Sequence, residues 1–288
     1  DIANIYESEN GDIFYKKGNG IFVFDPNKET TSDNGTWIRE LNGFNFHNIR
    51  NIIPSVNGGH WIFSPGNPNI KLSYLNAIGE KQHLEYQLRT VANFPMGMFD
   101  QGYAISLFEY DENSLLILSS RLEIMRLALN EQREVTNYEV FDLKSSATGI
   151  KDITYRLASL EKDKNGKLWI AGTNLLLNYN LETNEVRYFD QNEELFNQIS
   201  TQQAQTLLVD ATNILWIGTL NNGLYKLDLE NNTFLNSDEF TSISESLNNP
   251  FHQYPVLSMT QDLMGNIWLG TQGEGGIGVF KEEELIES

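Results

Sequence analysis

The chain has 288 residues, 40% apolar and 11% aromatic, enough to build a substantial core and to exclude an intrinsically disordered segment. It carries 20 Lys and Arg against 39 Asp and Glu, a net charge of −19, which excludes nucleic acid and an anionic membrane surface as partners, since both draw affinity from clustered basic side chains. The lack of cysteine removes disulfide frameworks, thiolate metal sites and cysteine nucleophiles; with no apolar run near the roughly 20 residues of a membrane span, and Asp1 rather than a basic, apolar leader at the start, a soluble, mature or excised piece is expected.

In chain order, six segments share one pattern. SENGDIFYKKGNGIFVFD sets Ser8 six residues before Phe14, SVNGGHWIF sets Ser55 six before Trp61, and DENSLLILSS sets Asp111 six before Ile117. Three clearer copies follow: DKNGKLWIAGT pairs Asp163 with Trp169, DATNILWIGTLNNGLYKLD pairs Asp210 with Trp216, and DLMGNIWLGTQGEGGIGVF pairs Asp262 with Trp268. The anchors at 14, 61, 117, 169, 216 and 268 are separated by 47, 56, 52, 47 and 52 residues, so one unit recurs along the whole chain.

Each unit reads as four short strands. A β-rich segment such as QTLLVD enters a tight turn at Asp-x-x-Gly, where Asn and Gly tolerate the left-handed region. A second strand such as ILWIGT follows, then a third such as GLYKLDL and a fourth such as EVRYFD, with no amphipathic helix of useful length between them. The expectation is an all-β fold, a β-propeller of four-stranded antiparallel blades, occupying residues 1–288 as a single domain with six blades. A blade of this size cannot bury both faces alone, so the tryptophan of the second strand, or Phe14 or Ile117 in its place, is expected to fill the space against the neighbouring sheet.

The stretch Asp210, Leu215, Trp216, Ile217, Gly218, Thr219, Gly223, Leu224, Tyr225 and Asp228 resembles the two-component regulator propeller repeat. The resemblance is strong over residues 152–280 and persists upstream as the frame alone. It implies the periplasmic sensor region of a hybrid two-component system of Bacteroidetes type, a periplasmic or extracellular location, and a missing membrane helix and histidine kinase. Propellers of that family commonly have seven blades. The sixth unit here stops soon after Phe280, leaving KEEELIES as an outer strand or a solvated acidic end, so a ring of six and a part of a longer ring both stand.

Catalytic motifs are sparse. Gly273-Glu274-Gly275-Gly276-Ile277-Gly278 matches the dinucleotide pattern G-x-G-x-x-G, but that motif needs a helix N-terminus, whereas these glycines join NIWLGT to IGVFK and read as a turn. DKNG lacks the further oxygen ligands and closing Glu of a calcium loop, so Asp163, Asp210 and Asp262 are expected to accept backbone hydrogen bonds inside their turns. The same element resembles the Asp-box of sialidases but lacks its Ser-x-Asp and Thr-Trp parts. His47, His60, His83 and His252 show no metal-site spacing, and neither GxSxG nor Ser-x-x-Lys occurs. No catalytic residue, metal or cofactor is expected.

In a propeller, the connection between successive blades lies on the same face as the loop between second and third strands. Those connections include NGFNFHN with Phe44 and Phe46, FPMGMFDQGY with Phe99 and Tyr103, and SLNNPFHQY with Phe251, His252 and Tyr254. Aromatic rings beside amides suit carbohydrate, since sugar CH faces stack on rings while hydroxyls take polar partners; the alternative is that the rings pack their own loops or an adjoining domain. The expected function is a non-enzymatic sensor propeller responding to an oligosaccharide, with adjoining domains of the same protein and a homodimer of the full-length protein as partners. The alternatives are an extracellular or secretion-associated scaffold binding protein partners, and a propeller lyase or glycosidase, which would need a convergent set that Arg39, Arg50, Arg89 and Arg156 do not form in sequence.

Overall fold

The structure, a computed structural model, describes residues 2–7, 13–17, 20–25, 30–33, 49–64, 72–76, 80–84, 91–93, 95–97, 104–146, 157–173, 175–189, 204–220, 223–231, 233–236, 254–273, 276–281 and 284–287. Among these residues, short runs rich in β-branched and aromatic residues, punctuated by Asn, Asp and Gly, form 24 strands in six four-stranded sheets. Sheet 1 holds β1 (Ile2–Glu7), β2 (Ile13–Lys17), β3 (Gly20–Asp25) and β4 (Thr30–Asp33). Sheet 2 holds β5 (Asn51–Pro54), β6 (His60–Phe63), β7 (Leu72–Leu75) and β8 (Lys81–His83). Sheet 3 holds β9 (Ala104–Asp111), β10 (Ser114–Ser119), β11 (Glu123–Leu129) and β12 (Val135–Asp142), and is followed by one helical turn, α1 (Leu143–Ser146). Sheet 4 holds β13 (Leu157–Lys162), β14 (Lys167–Gly172), β15 (Leu175–Asn180) and β16 (Glu185–Tyr188). Sheet 5 holds β17 (Ala204–Val209), β18 (Ile214–Thr219), β19 (Leu224–Asp228) and β20 (Thr233–Asn236). Sheet 6 holds β21 (Val256–Gln261), β22 (Ile267–Thr271), β23 (Ile277–Lys281) and β24 (Glu284–Glu287).

Every sheet is a meander whose neighbours in space are neighbours in sequence, all antiparallel. The acidic end therefore does contribute an outer strand: Leu285 and Ile286 of β24 pair with Phe280 and Val279 of β23. Among the described residues no helix is long and apolar enough to cross a membrane.

Contacts divide the chain into two compact units, Asp1–Asp33 with Gly149–Ser288, and Asn34–Thr148. In the first, sheet 4 packs on sheet 5 through β13 and β17, sheet 5 on sheet 6 through β17 and β21, and sheet 6 on sheet 1 through β21 and β1. In the second, sheet 2 packs on sheet 3 through β5 and β9.

The packing is directional. Trp169 lies with Leu207, Leu215, Ile217 and Tyr225 of sheet 5. Trp216 lies with Val256, Met259, Ile267 and Leu269 of sheet 6, and Trp268 with Ile5, Ile13 and Tyr15 of sheet 1. In the second unit, Trp61 lies with Leu107, Leu115, Ile117 and Met125 of sheet 3. Each of these four indoles thus faces the following sheet, and the residues flanking the next tryptophan position face back. Gly218 permits the close approach of sheets 5 and 6: a Cβ there would lie 2.6 Å from Thr206 Cγ2 and 2.8 Å from Val256 Cγ1.

One anchor needs correction. Leu115 and Ile117 face sheet 2 as Leu215 and Ile217 face sheet 4, so Leu116, opposite Phe108, holds the tryptophan register of sheet 3 and Ile117 does not. The cause is a shorter turn. Asp111 pairs with Ser114, three residues on, and its Oδ1 accepts from the Asn113 N–H and the Ser114 hydroxyl, whereas the Asp163 N–H reaches Lys167 O, four residues on.

Candidate functional site

The three clear aspartates act inside their own turns. Asp163 Oδ1 accepts from the N–H groups of Asn165 and Lys167 at 2.9 Å each, while Oδ2 accepts from Trp169 Nε1 at 3.0 Å. Asp210 repeats this with Thr212, Ile214 and, at 2.6 Å, Trp216 Nε1; Asp262 repeats it with Met264, Asn266 and, at 2.8 Å, Trp268 Nε1. The carboxylate shapes the turn and fixes the indole whose ring then meets the next sheet. With both oxygens engaged these groups are poor metal ligands, and no cluster of three potential ligand side chains occurs among the described residues.

The N–H after each aspartate leaves the turn and binds a side chain of the following sheet. Lys164 N–H donates to Asn213 Oδ1 at 3.1 Å, Ala211 N–H to Gln261 Oε1 at 2.8 Å, and Leu263 N–H to Glu7 Oε2 at 2.7 Å. Burial next to Asp262 raises the Glu7 carboxyl above its ordinary value, opposed by the Leu263 N–H. In the same region Glu161 of β13 accepts from the Val209 N–H, but its burial dominates and pushes it up to about 8.

The junction of sheets 2 and 3 departs from this scheme. Ser55 stands where the aspartate would be, and the missing carboxylate is supplied by the following sheet. Glu109 Oε1 accepts from the Ser55 hydroxyl at 2.9 Å and Trp61 Nε1 at 3.1 Å, and Oε2 accepts from the Val56 N–H at 2.9 Å. A buried guanidinium completes the group. Arg133 Nη1 lies 3.6 Å from Glu109 Oε1, the two side chains being 8% and 4% exposed, and donates to Glu112 O at 2.6 Å. Its Cζ sits 6.0 Å from the Trp61 ring and 5.7 Å from the Tyr74 ring. Nη2 has no hydrogen-bond partner. Arg133 takes φ 62°, a left-handed value uncommon for a long side chain, and closes the β11–β12 turn through its N–H to Asn130 O.

Above this ion pair opens a cavity of about 810 Å³, lined at its rim by Asn57, Gln82, Asn113 and Gln132, with Tyr74 and Arg133 deeper. It lies wholly within the second unit, at the turns that join first to second and third to fourth strands. Asn76 and Glu80 in sheet 2, and Asn130 and Glu134 in sheet 3, close the two outer turns by reciprocal bonds: each Asn Nδ2 donates to the Glu carboxylate and each Glu N–H returns to the Asn Oδ1. The neighbouring His60 is buried, which lowers its pKa to about 4.

Of the aromatic residues expected to bind ligand, Phe44, Phe46, Phe99, Tyr103, Phe251 and His252 lie outside the described residues. Tyr254 is described, partly buried, with its ring 3.8 Å from where a Cβ on Gly273 would stand. Beside it Gln272 N–H donates to Pro255 O at 3.0 Å, so the entry to β21 and the loop after β22 share one end of sheet 6. The cavity is at the other type of turn and was not legible in sequence.

A scan of known protein families and a search of curated proteins found no match to the chain. Solved structures do match. The extracellular domain assigned to the hybrid two-component system BT3049 of B. thetaiotaomicron superposes with TM-score 0.56 and 20% identity, over 97% of this chain and 33% of that one. The corresponding domain of BT4673 from the same organism gives TM-score 0.59 and 16% identity over 99% and 32%. PorZ, a bacterial surface component of the type-IX secretion system of Porphyromonas gingivalis, gives 0.54 and 17% over 97% and 38%. The chain therefore spans about a third of the length of these structures. Six meander sheets, each presenting an aromatic or aliphatic anchor at the same register of its second strand, together with these superpositions, establish the fold as a β-propeller of four-stranded antiparallel blades.

Proposed function

We propose that the chain is the ligand-recognising propeller of an extracytoplasmic sensor in a hybrid two-component system, non-enzymatic in itself, and that its input is an oligosaccharide. The observation that carries this reading is the likeness of its six sheets to the extracellular domains assigned to BT3049 and BT4673, joined to the repeat that the sequence displays from Asp210 to Asp228. In such a protein a bound ligand biases an existing equilibrium between arrangements of the sensor and its neighbouring domains, and the propeller's task is differential binding rather than turnover. The acidic balance, −19, fits a neutral ligand better than a polyanionic one.

A second reading, a surface scaffold that binds protein partners, is favoured by the likeness to PorZ. One experiment separates them. Thermal unfolding of the chain is followed across a panel of neutral and acidic oligosaccharides, with each mixture then analysed by chromatography. A raised midpoint with the saccharide recovered intact supports the sensor; no shift with any member favours the scaffold; cleavage products would make it a lyase or glycosidase.

A further inference from the structure

We infer that the cavity between sheets 2 and 3 is a binding site for a neutral, polyhydroxylated ligand, a class that includes the saccharides invoked above; its ligand class rests on that functional reading, whereas its location rests on the geometry of this junction.

Three observations carry the location. The junction is rebuilt. At the clear repeats the turn carboxylate comes from the same sheet, but here Ser55 vacates that role and Glu109 takes it from across the junction, drawing Arg133 inward beside it. The contrast with sheets 4 and 5 is direct. There Lys164 of the β13–β14 turn and Glu230 of the β19–β20 turn form an ion pair across the same kind of junction, whereas at sheets 2 and 3 the basic residue of the β11–β12 turn points into the interior and leaves a cavity of about 810 Å³. Finally, Arg133 is 6% exposed, lines the cavity, and still has one terminal nitrogen, Nη2, without a hydrogen bond. Nη2 is itself shielded from solvent, so its unmet bond marks the cost of the rebuilt junction, while the residue as a whole puts a cationic side chain in the cavity wall.

The lining selects the ligand class. Asn57, Gln82, Asn113 and Gln132 supply amides that donate and accept together, which is what adjacent hydroxyls require. Glu80, Glu112 and Glu131 outnumber Arg133 and oppose an anionic ligand. Among the described residues the lining is polar apart from the Tyr74 ring, which offers a purely apolar ligand little to bury against. A metal ion is disfavoured because the described residues include no triad of ligand groups.

The test uses the whole chain and isothermal titration with neutral gluco-, manno-, galacto- and xylo-oligosaccharides and, as the acidic arm, oligogalacturonides. Asn113→Trp and Gln132→Trp place bulk at two exposed rim positions whose side chains do not hold their turns together. Tyr254→Ala alters the opposite kind of loop. The expected result is a neutral oligosaccharide that binds the parent and the Tyr254→Ala variant alike, and binds each tryptophan variant at least ten-fold more weakly while their unfolding midpoints stay at the parent value. Binding retained by both tryptophan variants but lost in Tyr254→Ala overturns the cavity and leaves the saccharide-sensor reading intact. Binding of the acidic arm alone overturns the ligand class. A parent chain that binds no member of the panel overturns both the inference and the reading beneath it.

Discussion

Glu7, at the end of the first strand, accepts a 2.7 Å hydrogen bond from the N–H of Leu263, 256 residues away in the sequence. The bond is one of a series in which the turn of one sheet donates to a side chain of the next, the others ending on Asn213, Gln261 and Glu109. Its presence means that the last sheet is followed by the first, so the junction between them is already filled. Glu7→Gln keeps an acceptor and should leave stability close to the parent, whereas Glu7→Ala should cost about 1 kcal/mol in urea unfolding.

Trp216 should be the most sensitive single position of the repeat. Its ring is 5% exposed, lies against sheet 6, and carries Lys226 Nζ 4.2 Å above it. Trp216→Ala should destabilise by about 3–5 kcal/mol through the cavity left behind. Asp210→Ala should cost about 2–3 kcal/mol, since it removes the acceptor for the indole and for two turn N–H groups. Because the two act through one hydrogen bond, the double variant should fall short of the sum, a coupling that a double-mutant cycle in urea reads directly.

Gly218→Ala should destabilise by about 1–3 kcal/mol although it adds only a methyl group. The added carbon would overlap Val256 of the next sheet and Thr206 of its own, and relief requires the two sheets to move apart. Val256→Ala in the same chain should recover part of the loss. A single variant as stable as the parent would mean that sheets 5 and 6 do not meet at this spacing.

Buried His60 and partly buried Glu161 set opposite limits on pH stability. Glu161 has a folded value of about 8, above the ordinary 4.5, so its contribution is complete at acid pH and is lost as pH rises toward and through 8. His60, with a folded value of about 4 against 6.5, contributes fully above 6.5 and loses that contribution as pH falls through 4. Within each window the slope approaches about 1.4 kcal/mol per pH unit per group. Thermal midpoints should therefore decline on both sides, and Glu161→Gln should flatten the alkaline limb and raise the midpoint at about pH 8.

The repeating Asp and Trp made the strand order and the packing of each indole between sheets legible, because each pair lies within seven residues and its bonds are local, whereas the direction of that packing came from the structure. In sheet 3 the spacing Asp111 to Ile117 matches the others in number, yet the turn at Ser114 closes early and shifts the register by one residue. The cavity was illegible for a different reason. Arg133, which lines it, sits beside Glu109, and Glu109 meets Ser55 and Trp61 from about fifty residues away, a contact that no local pattern announces. Tyr254 alone of the expected aromatic set falls among the described residues, where it rests on the loop at Gly273.

The succession of sheets in which the first follows the sixth is the central structural relationship of the first unit. The native chain has no cysteine, so a Glu7→Cys, Leu263→Cys variant carries only that pair of thiols and can be treated with a short bifunctional maleimide. Linked peptides from a monomeric product, formed in buffer and absent in concentrated urea, are the predicted result. A native sample that yields only unlinked chains, or only links between two molecules, would contradict it.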